Sequence, residues 1–555
     1  MKYLLVGINS KYSHTNLAIR LLKAYCKNDA VKISEYTINE PKQQVLSGIM
    51  RENADAVFFS CYIWNIEYIK ELCSDLKKVT QAKIIFGGPE VSFNARAVME
   101  KCPFVDACIT GEGEVTFSEL VSNNLDFKNT DGVVFKNAEI IENKPRELIC
   151  DITTIPFPYT QEEIKKLDGR LIYYETSRGC PFNCSYCMSS TVKGVRYRDI
   201  NIVKDELKFF IDNGVKIVKL TDRTFNADSK RVLEILRFLI EVGGKTTFHF
   251  EIAAHILTDE IFDILKKAPE GLFQFEIGVQ TTNPETISEI NRKTDFEIIK
   301  KEVLRIKSLG TIHMHLDLIA GLPYEDFNTF KKSFNDVFSL NPDMLQLGFL
   351  KLLHGTKIRN EKELHSYVYS DFPPYEVLKN KYISYEELLV LKKIEEIVDK
   401  FYNSGAFSNS LDYLLKKYET AFYMFYKISE YFDKNRLFLM SHSKSSLFDI
   451  LADFARTEEI DEVFFDILKL DFCLDKNHRT PLWSLKKFNP GFSKSRFSLI
   501  ENNPEVFLEF SGMPMKDIIK KVYFEEFSYD VLGDLKKEES VIVFFGNGKT
   551  EKLKI

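Results

Sequence analysis

LIYYETSRGCPFNCSYC, from Leu171 to Cys187, runs from a β-rich stretch straight into a loop that carries Cys180, Cys184 and Cys187. Gly179 and Pro181 favour a tight backbone path there. The C-x3-C-x2-C spacing brings three soft sulfur ligands out of one loop, which suits three irons of a cubane cluster and leaves the fourth iron without a local cysteine. The alternative is a zinc loop whose fourth ligand, Cys150 or a distant histidine, comes from elsewhere.

The missing fourth cysteine has chemical content. A structural or electron-transfer cluster ordinarily takes four thiolates. An open iron can instead bind the amino and carboxylate groups of S-adenosylmethionine and pass an electron to its sulfonium, releasing a 5'-deoxyadenosyl radical.

Downstream of the loop, a βα rhythm follows. The runs VKIVKLTD, TFHFEIAA, LFQFEIGVQ, IHMHLDLIAG and MLQLGFLKL join LIYYETS as six predicted strands. Between them lie helical patterns such as SKRVLEILRFLIEVG and DFEIIKKEVLRIKSLG, so the region predicts an incomplete (βα)6 barrel. Upstream, YLLVGIN, VKISEYTI, AVFFSCYIW, KIIFGG and DACIT alternate with helical stretches, and GVVFKNAEIIENK predicts a hairpin. That is the pattern of a doubly wound parallel sheet, whose ligands sit at the carboxyl ends of the strands. The segments to inspect are therefore 9–16, 60–65, 87–93 and 111–114. Beyond residue 360 longer helical patterns take over, including YEELLVLKKIEEIVDKFY and LDYLLKKYETAFYMFYKISEYF, and two closing runs, KVYFEEFSYDVL and ESVIVFFGNGKT, could pair as strands. The expected division is 1–150, 151–360 and 361–555, the last mainly helical.

The 555-residue length exceeds what one hydrophobic core fills. A net charge of -6 gives no support to a broad cationic surface, so nucleic acid is not indicated. No apolar run reaches the roughly 20 residues that span a bilayer, and ten cysteines are too sparse for a disulfide framework. A reducing cytoplasm is the expected location.

The cysteine motif resembles that of the radical SAM enzymes, in particular the group with an N-terminal cobalamin-binding domain. GGPEVSF (87–93), TGEGEVTF (110–117), KLTDRTFNAD (219–228), FEIGVQTTNPETISEINRKT (275–294) and LIAGLPYED (318–326) carry the resemblance over residues 1 to about 360. It implies a [4Fe-4S] cluster on Cys180, Cys184 and Cys187, S-adenosylmethionine across the barrel's open end, a corrinoid in the first domain, and an electron donor such as flavodoxin or ferredoxin. The strand ends offer Asp222, Arg223, Glu251, His255, Glu276, Gln280, Asp317 and Gln346 toward the cofactor. Ser60, Gly87, Gly88, Gly111 and Gly113 are the candidates toward the corrinoid, where glycine lets backbone approach a large ring.

An Asp-x-His-x-x-Gly motif, which supplies a cobalt-ligating histidine, is absent; the nearest candidate is His14. The loss is compatible with cobalamin held without histidine ligation, the favoured expectation, and equally with a vestigial domain that holds no corrinoid. Cys26, Cys61, Cys73, Cys102 and Cys108 lack the close spacing of a second cluster, which disfavours methylthiotransfer. Methyl transfer to an unactivated carbon is the favoured reaction. The alternatives are a corrinoid-independent rearrangement or ring formation, and a non-enzymatic iron-sulfur or corrinoid sensor. No catalytic residue is assigned. His313 and His315 share a strand face, with packing expected over a metal pair. Cys473, His478 and Trp483 form no recognised catalytic pattern.

Overall fold

The computed structural model describes residues 1–475, 484–485, 492–546 and 548–554. The chain divides into two compact units, 1–342 with 347–388, and 343–346 with 389–555.

The first unit opens with a seven-stranded sheet of order β2-β1-β3-β4-β5-β6-β7. Its strands are β1 (Tyr3–Asn9), β2 (Val31–Thr37), β3 (Ala56–Ser60), β4 (Lys83–Gly87), β5 (Ala107–Ile109), β6 (Val133–Lys136) and β7 (Ile140–Glu142). β1 to β5 are parallel, and the β6–β7 hairpin adds antiparallel. β1 and β3 are buried at every position, as expected of strands covered on both faces. The helix Leu17–Cys26 starts where Asn16 caps it, its side chain accepting from Ile19 N.

A six-stranded sheet follows, ordered β15-β14-β13-β12-β11-β8: β8 (Ile172–Tyr174), β11 (Ile217–Leu220), β12 (Thr247–Ile252), β13 (Phe273–Gln280), β14 (His313–Ala320) and β15 (Met344–Phe349). A ribbon of β9 (Ser177–Cys180) and β10 (Gly194–Tyr197) stands apart from it. All six barrel strands expected from the sequence are present. In β13 burial alternates residue by residue: Phe273, Phe275, Ile277 and Val279 are buried, while Gln274, Glu276, Gly278 and Gln280 face a polar interior. Burying each of those phenylalanines contributes about 1.5–3 kcal/mol, so the apolar half of the pattern holds the wall and leaves the polar half for the lumen.

The second unit is helical, with a three-stranded antiparallel sheet made of Val522–Tyr529, Lys537–Phe545 and Thr550–Leu553. The two closing runs do pair as strands. The long pattern at 411–432 is split, however: one helix ends at Leu415, and the next begins at Ala421 behind Thr420, which caps Tyr423 N. A threonine able to satisfy a free backbone donor starts a new helix where periodicity alone reads continuity. Cys473 is packed with Leu470, Phe527, Ile542 and Phe544, whereas His478 and Trp483 lie outside the described residues. Among the described residues no helix is long and apolar enough to cross a membrane.

Candidate active site

The cysteine loop is closed at its base by the β9–β10 ribbon, in which Gly179 faces Val195. Gly179 sits at φ +100°, and a Cβ there would lie 2.1 Å from the Gly194 carbonyl oxygen. Only glycine fits. The loop itself is braced by the segment after β13: Ser185 N donates to Ile290 O at 2.9 Å, and Asn291 Nδ2 donates to Asn183 O at 2.9 Å. Arg292 Nη1 reaches Tyr186 Oη at 3.2 Å and Cys184 Sγ at 3.7 Å. The stretch NPETISEINRKT thus has a physical role as the loop's backing. Cys180 Sγ lies 3.3 Å from Thr224 Oγ1 at the end of β11.

Sulfurs around a single tetrahedral zinc stand about 3.8 Å apart. Among the described residues the three loop thiols are not gathered within 4.8 Å of one another. A cubane spreads its thiolates over separate iron corners, and three thiols from one loop fit that donor set.

Inside the barrel, polar side chains from neighbouring strands meet. Lys219 Nζ and His249 Nε2 lie 2.7 and 2.9 Å from the same Glu276 oxygen, Oε2. Burial pushes the Glu276 carboxyl up, but the His249 hydrogen bond and the Lys219 ammonium outweigh it and bring the pKa down to about 2. His315, which approaches Gln274 Nε2 at 2.7 Å, is lowered to about 4 by burial and its histidine neighbours. Asp317 is raised well above the carboxylate range by burial and by the charges of Glu276 and Glu251. Asp317 Oδ1, Gln280 Oε1 and Arg292 Nε are buried without a protein hydrogen-bond partner. Buried polar atoms are costly to leave unpaired, so these three suit a polar ligand such as S-adenosylmethionine.

Other strand-end candidates are placed differently. Asp222 accepts from Thr176 N at 2.7 Å, from Ser177 Oγ at 2.8 Å and from Thr176 Oγ1, knitting β11 to the end of β8. The His255 ring rests 5.3 Å from Phe182 of the cysteine loop. It lines a groove of about 940 Å³ with Arg292 and Thr281. Gln346 is on β15.

Arg223 and Glu251 line a second cavity, of about 610 Å³, together with Ser60, Gly87, Gly88, Gly111 and Gly113. The carboxyl edge of the first sheet and the barrel's strand ends therefore share one space. At Gly88, φ is +105° and a Cβ would meet Cys61 O at 2.7 Å, so this turn also demands glycine. His14 is on the wall with its Nδ1 2.8 Å from Tyr173 Oη. Cys61, Cys73, Cys102 and Cys108 belong to the apolar core of the first sheet.

Two features of this cavity escape a reading of motifs. Tyr62 and Trp64 stack on its wall with ring centroids 4.3 Å apart, and Trp64 stays 46% exposed. Arg178, two residues before the first cysteine, binds Glu114 at 2.5 Å, Glu175 at 2.8 Å and Glu112 at 3.3 Å. The acidic residues of TGEGEVTF thereby clamp the strand that carries Cys180 and leads into the cysteine loop. Opposite charges far apart in sequence were the available signal, but nothing in their spacing pairs them.

Residues 3–121 match the B12 binding domain family and residues 174–337 the radical SAM superfamily. The chain carries a B12-binding domain followed by a radical SAM domain. Residues 363–544 match a family described as a protein of unknown function, DUF4080. Among curated proteins, the chain is 25% identical over 397 residues to the cobalamin-dependent radical SAM methyltransferase TokK of Streptomyces tokunonensis, covering 66% of this chain and 57% of that one. It is 27% identical over 286 residues to the uncharacterized methyltransferase PH0819 of Pyrococcus horikoshii, covering 50% and 62%. The chain thus spans less than two thirds of the length of both relatives. Its fold is similar to that of the methyltransferase TsrM from Kitasatospora setae, solved with cobalamin and a [4Fe-4S] cluster (TM-score 0.57, 17% identity, 68% of this chain and 82% of that one). It is also similar to the cobalamin-dependent radical enzyme OxsB, solved with aqua-cobalamin and S-adenosylmethionine (TM-score 0.59, 14% identity, 85% and 78%).

Proposed function

We propose that this protein is a cobalamin-dependent radical SAM methyltransferase acting on an unactivated carbon. The observation that carries the reading is the single cavity onto which the glycine turns of the first sheet, Gly87, Gly88, Gly111 and Gly113, and the barrel-end residues Arg223 and Glu251 all open. Cys180, Cys184 and Cys187 hold the cluster, and Arg292 and Asn291 fix the loop's orientation. Asp317, Gln280 and Arg292 offer the unpaired polar atoms for S-adenosylmethionine. Tyr62 and Trp64 supply a flat aromatic wall for a corrin ring. His14 has its Nδ1 on Tyr173, and the reading of cobalamin bound without histidine ligation rests on the absent Asp-x-His-x-x-Gly motif. When bound, the cluster with S-adenosylmethionine supplies a hydrogen-abstracting radical, and the corrinoid supplies the methyl group.

The reading keeps the divisions 1–150, 151–360 and 361–555, a cytoplasmic location, and a flavodoxin or ferredoxin as electron donor. The test is anaerobic reconstitution with cobalamin, followed by assay of 5'-deoxyadenosine from S-adenosylmethionine in wild type and Cys184→Ala. Cluster iron and cysteine-dependent deoxyadenosine, with corrinoid retained through gel filtration, are the expected result. An intact cluster without cleavage would favour the sensor alternative, and cleavage without retained corrinoid the rearrangement alternative.

A further inference from the structure

We infer that His249, Glu276 and His315 form a binding site for one divalent first-row transition ion, separate from the cysteine cluster. The three residues come from adjacent parallel strands, β12, β13 and β14, with Glu276 directly opposite His315 in register. One donor atom from each lies within 4.8 Å of the other two. His249 Nε2 and Glu276 Oε2 are 2.9 Å apart. Ligands about 2.1 Å from an ion stand about 3.0 Å apart at a right angle and about 3.4 Å apart in a tetrahedron, so this pair is already at coordinating separation. His249 is 8% and His315 6% exposed, which keeps water from competing.

Two imidazoles and one carboxylate are the donor set of zinc and ferrous ions, and softer or harder ions prefer other ligands. Lys219 Nζ, 2.7 Å from Glu276 Oε2, and Gln274 Nε2, 2.7 Å from His315 Nε2, compete with the ion for the same lone pairs. The site lies about three residues, on the order of 10 Å, below the carboxyl end of β12. An ion there would staple three central strands below a cavity whose lining includes Lys219, the partner of Glu276. The inference does not rest on the methyl-transfer reading.

The experiment uses full-length protein, cluster-loaded wherever all three cysteines are kept, and zinc ion as probe, with metal counted after equilibrium dialysis against micromolar zinc and no S-adenosylmethionine present. One zinc per chain is expected in wild type and in Cys184→Ala. Zinc affinity should fall by more than about 100-fold in His249→Ala and in His315→Ala, beyond the 10–100-fold typical of losing a supporting partner alone. His315→Asn, which keeps a polar group of similar shape, guards against simple misfolding and should lose zinc with an unchanged far-ultraviolet spectrum. Lys219→Met should bind zinc more tightly, because the competing cation is gone. Zinc bound by none of these proteins would overturn the inference, as would zinc lost from Cys184→Ala but kept in the histidine variants.

Discussion

Replacing Arg178 with Met tests whether the acidic turn of the first domain holds the cysteine-bearing strand. The guanidinium is 12% exposed, and its partners Glu112, Glu114 and Glu175 are 17%, 6% and 22% exposed. Glu112 keeps a second cation, Arg196, at 2.7 Å. Glu114 and Glu175 lose theirs, and Glu175 is already pushed up by burial and by the charge of Glu114. Stripping one partner from a buried ionic group costs about 3–5 kcal/mol, because the remaining charge stays desolvated. The first unit has roughly 380 residues, and unfolding entropy of about 2.1 cal/mol/K per residue gives about 0.8 kcal/mol/K, so the expected loss in Tm is about 4–6 °C.

The assay is calorimetry at neutral pH, with iron content measured in parallel. Adding Glu114→Gln to the Arg178→Met background removes the uncompensated charge and should restore part of the loss. Lys166→Ala is the control: its Glu162 partner is 80% exposed, and a pair of that kind contributes nothing measurable to the transition. A Tm shift below about 1 °C in Arg178→Met, without rescue by Glu114→Gln, would refute the clamp.

Three further outcomes are expected. Gly179→Ala should open the β9–β10 ribbon and lower cluster iron sharply. Gly194→Ala, with φ +80° and nothing within 4 Å of the added methyl, should cost only about 1–2 kcal/mol of backbone strain; equal iron in the two variants would count against the steric argument. Gly88→Ala forces a Cβ to 2.7 Å from the Cys61 carbonyl and should reduce the corrinoid carried through purification at least to half. Unchanged corrinoid would remove this turn from the binding surface. Glu35 is buried beside Arg20 at 2.5 Å. Burial pushes its carboxyl up, but the hydrogen bond and charge of Arg20, helped by Asn9 and Asn16, win and hold it below 4.5. A lowered acid contributes stability that is complete above its unfolded pKa and lost as pH falls through its folded one. The stability gap between wild type and Glu35→Gln should therefore be full at pH 7 and close as pH drops below about 4.5; a gap that stays constant to lower pH would contradict the assignment.

How much of this was legible in the chain follows from the range of each interaction. Strand and helix positions depend on neighbours a few residues apart, so the six barrel strands and the parallel order of the first sheet could be read from periodicity. The cysteine loop was legible because its three cysteines share one short segment. The ribbon that closes it was not: β10 reads as an ordinary loop until Gly179 is seen pressed against the Gly194 carbonyl. The same holds for strand-end residues, whose direction along the chain says that they face the lumen but not what they meet there. Asp222 satisfies the backbone of β8, while Asp317, on the same kind of strand end, keeps an unpaired oxygen. Sequence offers both as equal acids. The difference arises from Thr176 and Ser177, about 45 residues upstream, which reach the first and not the second. Which polar atoms a strand end leaves unpaired is thus set by partners distant in the chain, and the spacing along one strand does not carry it.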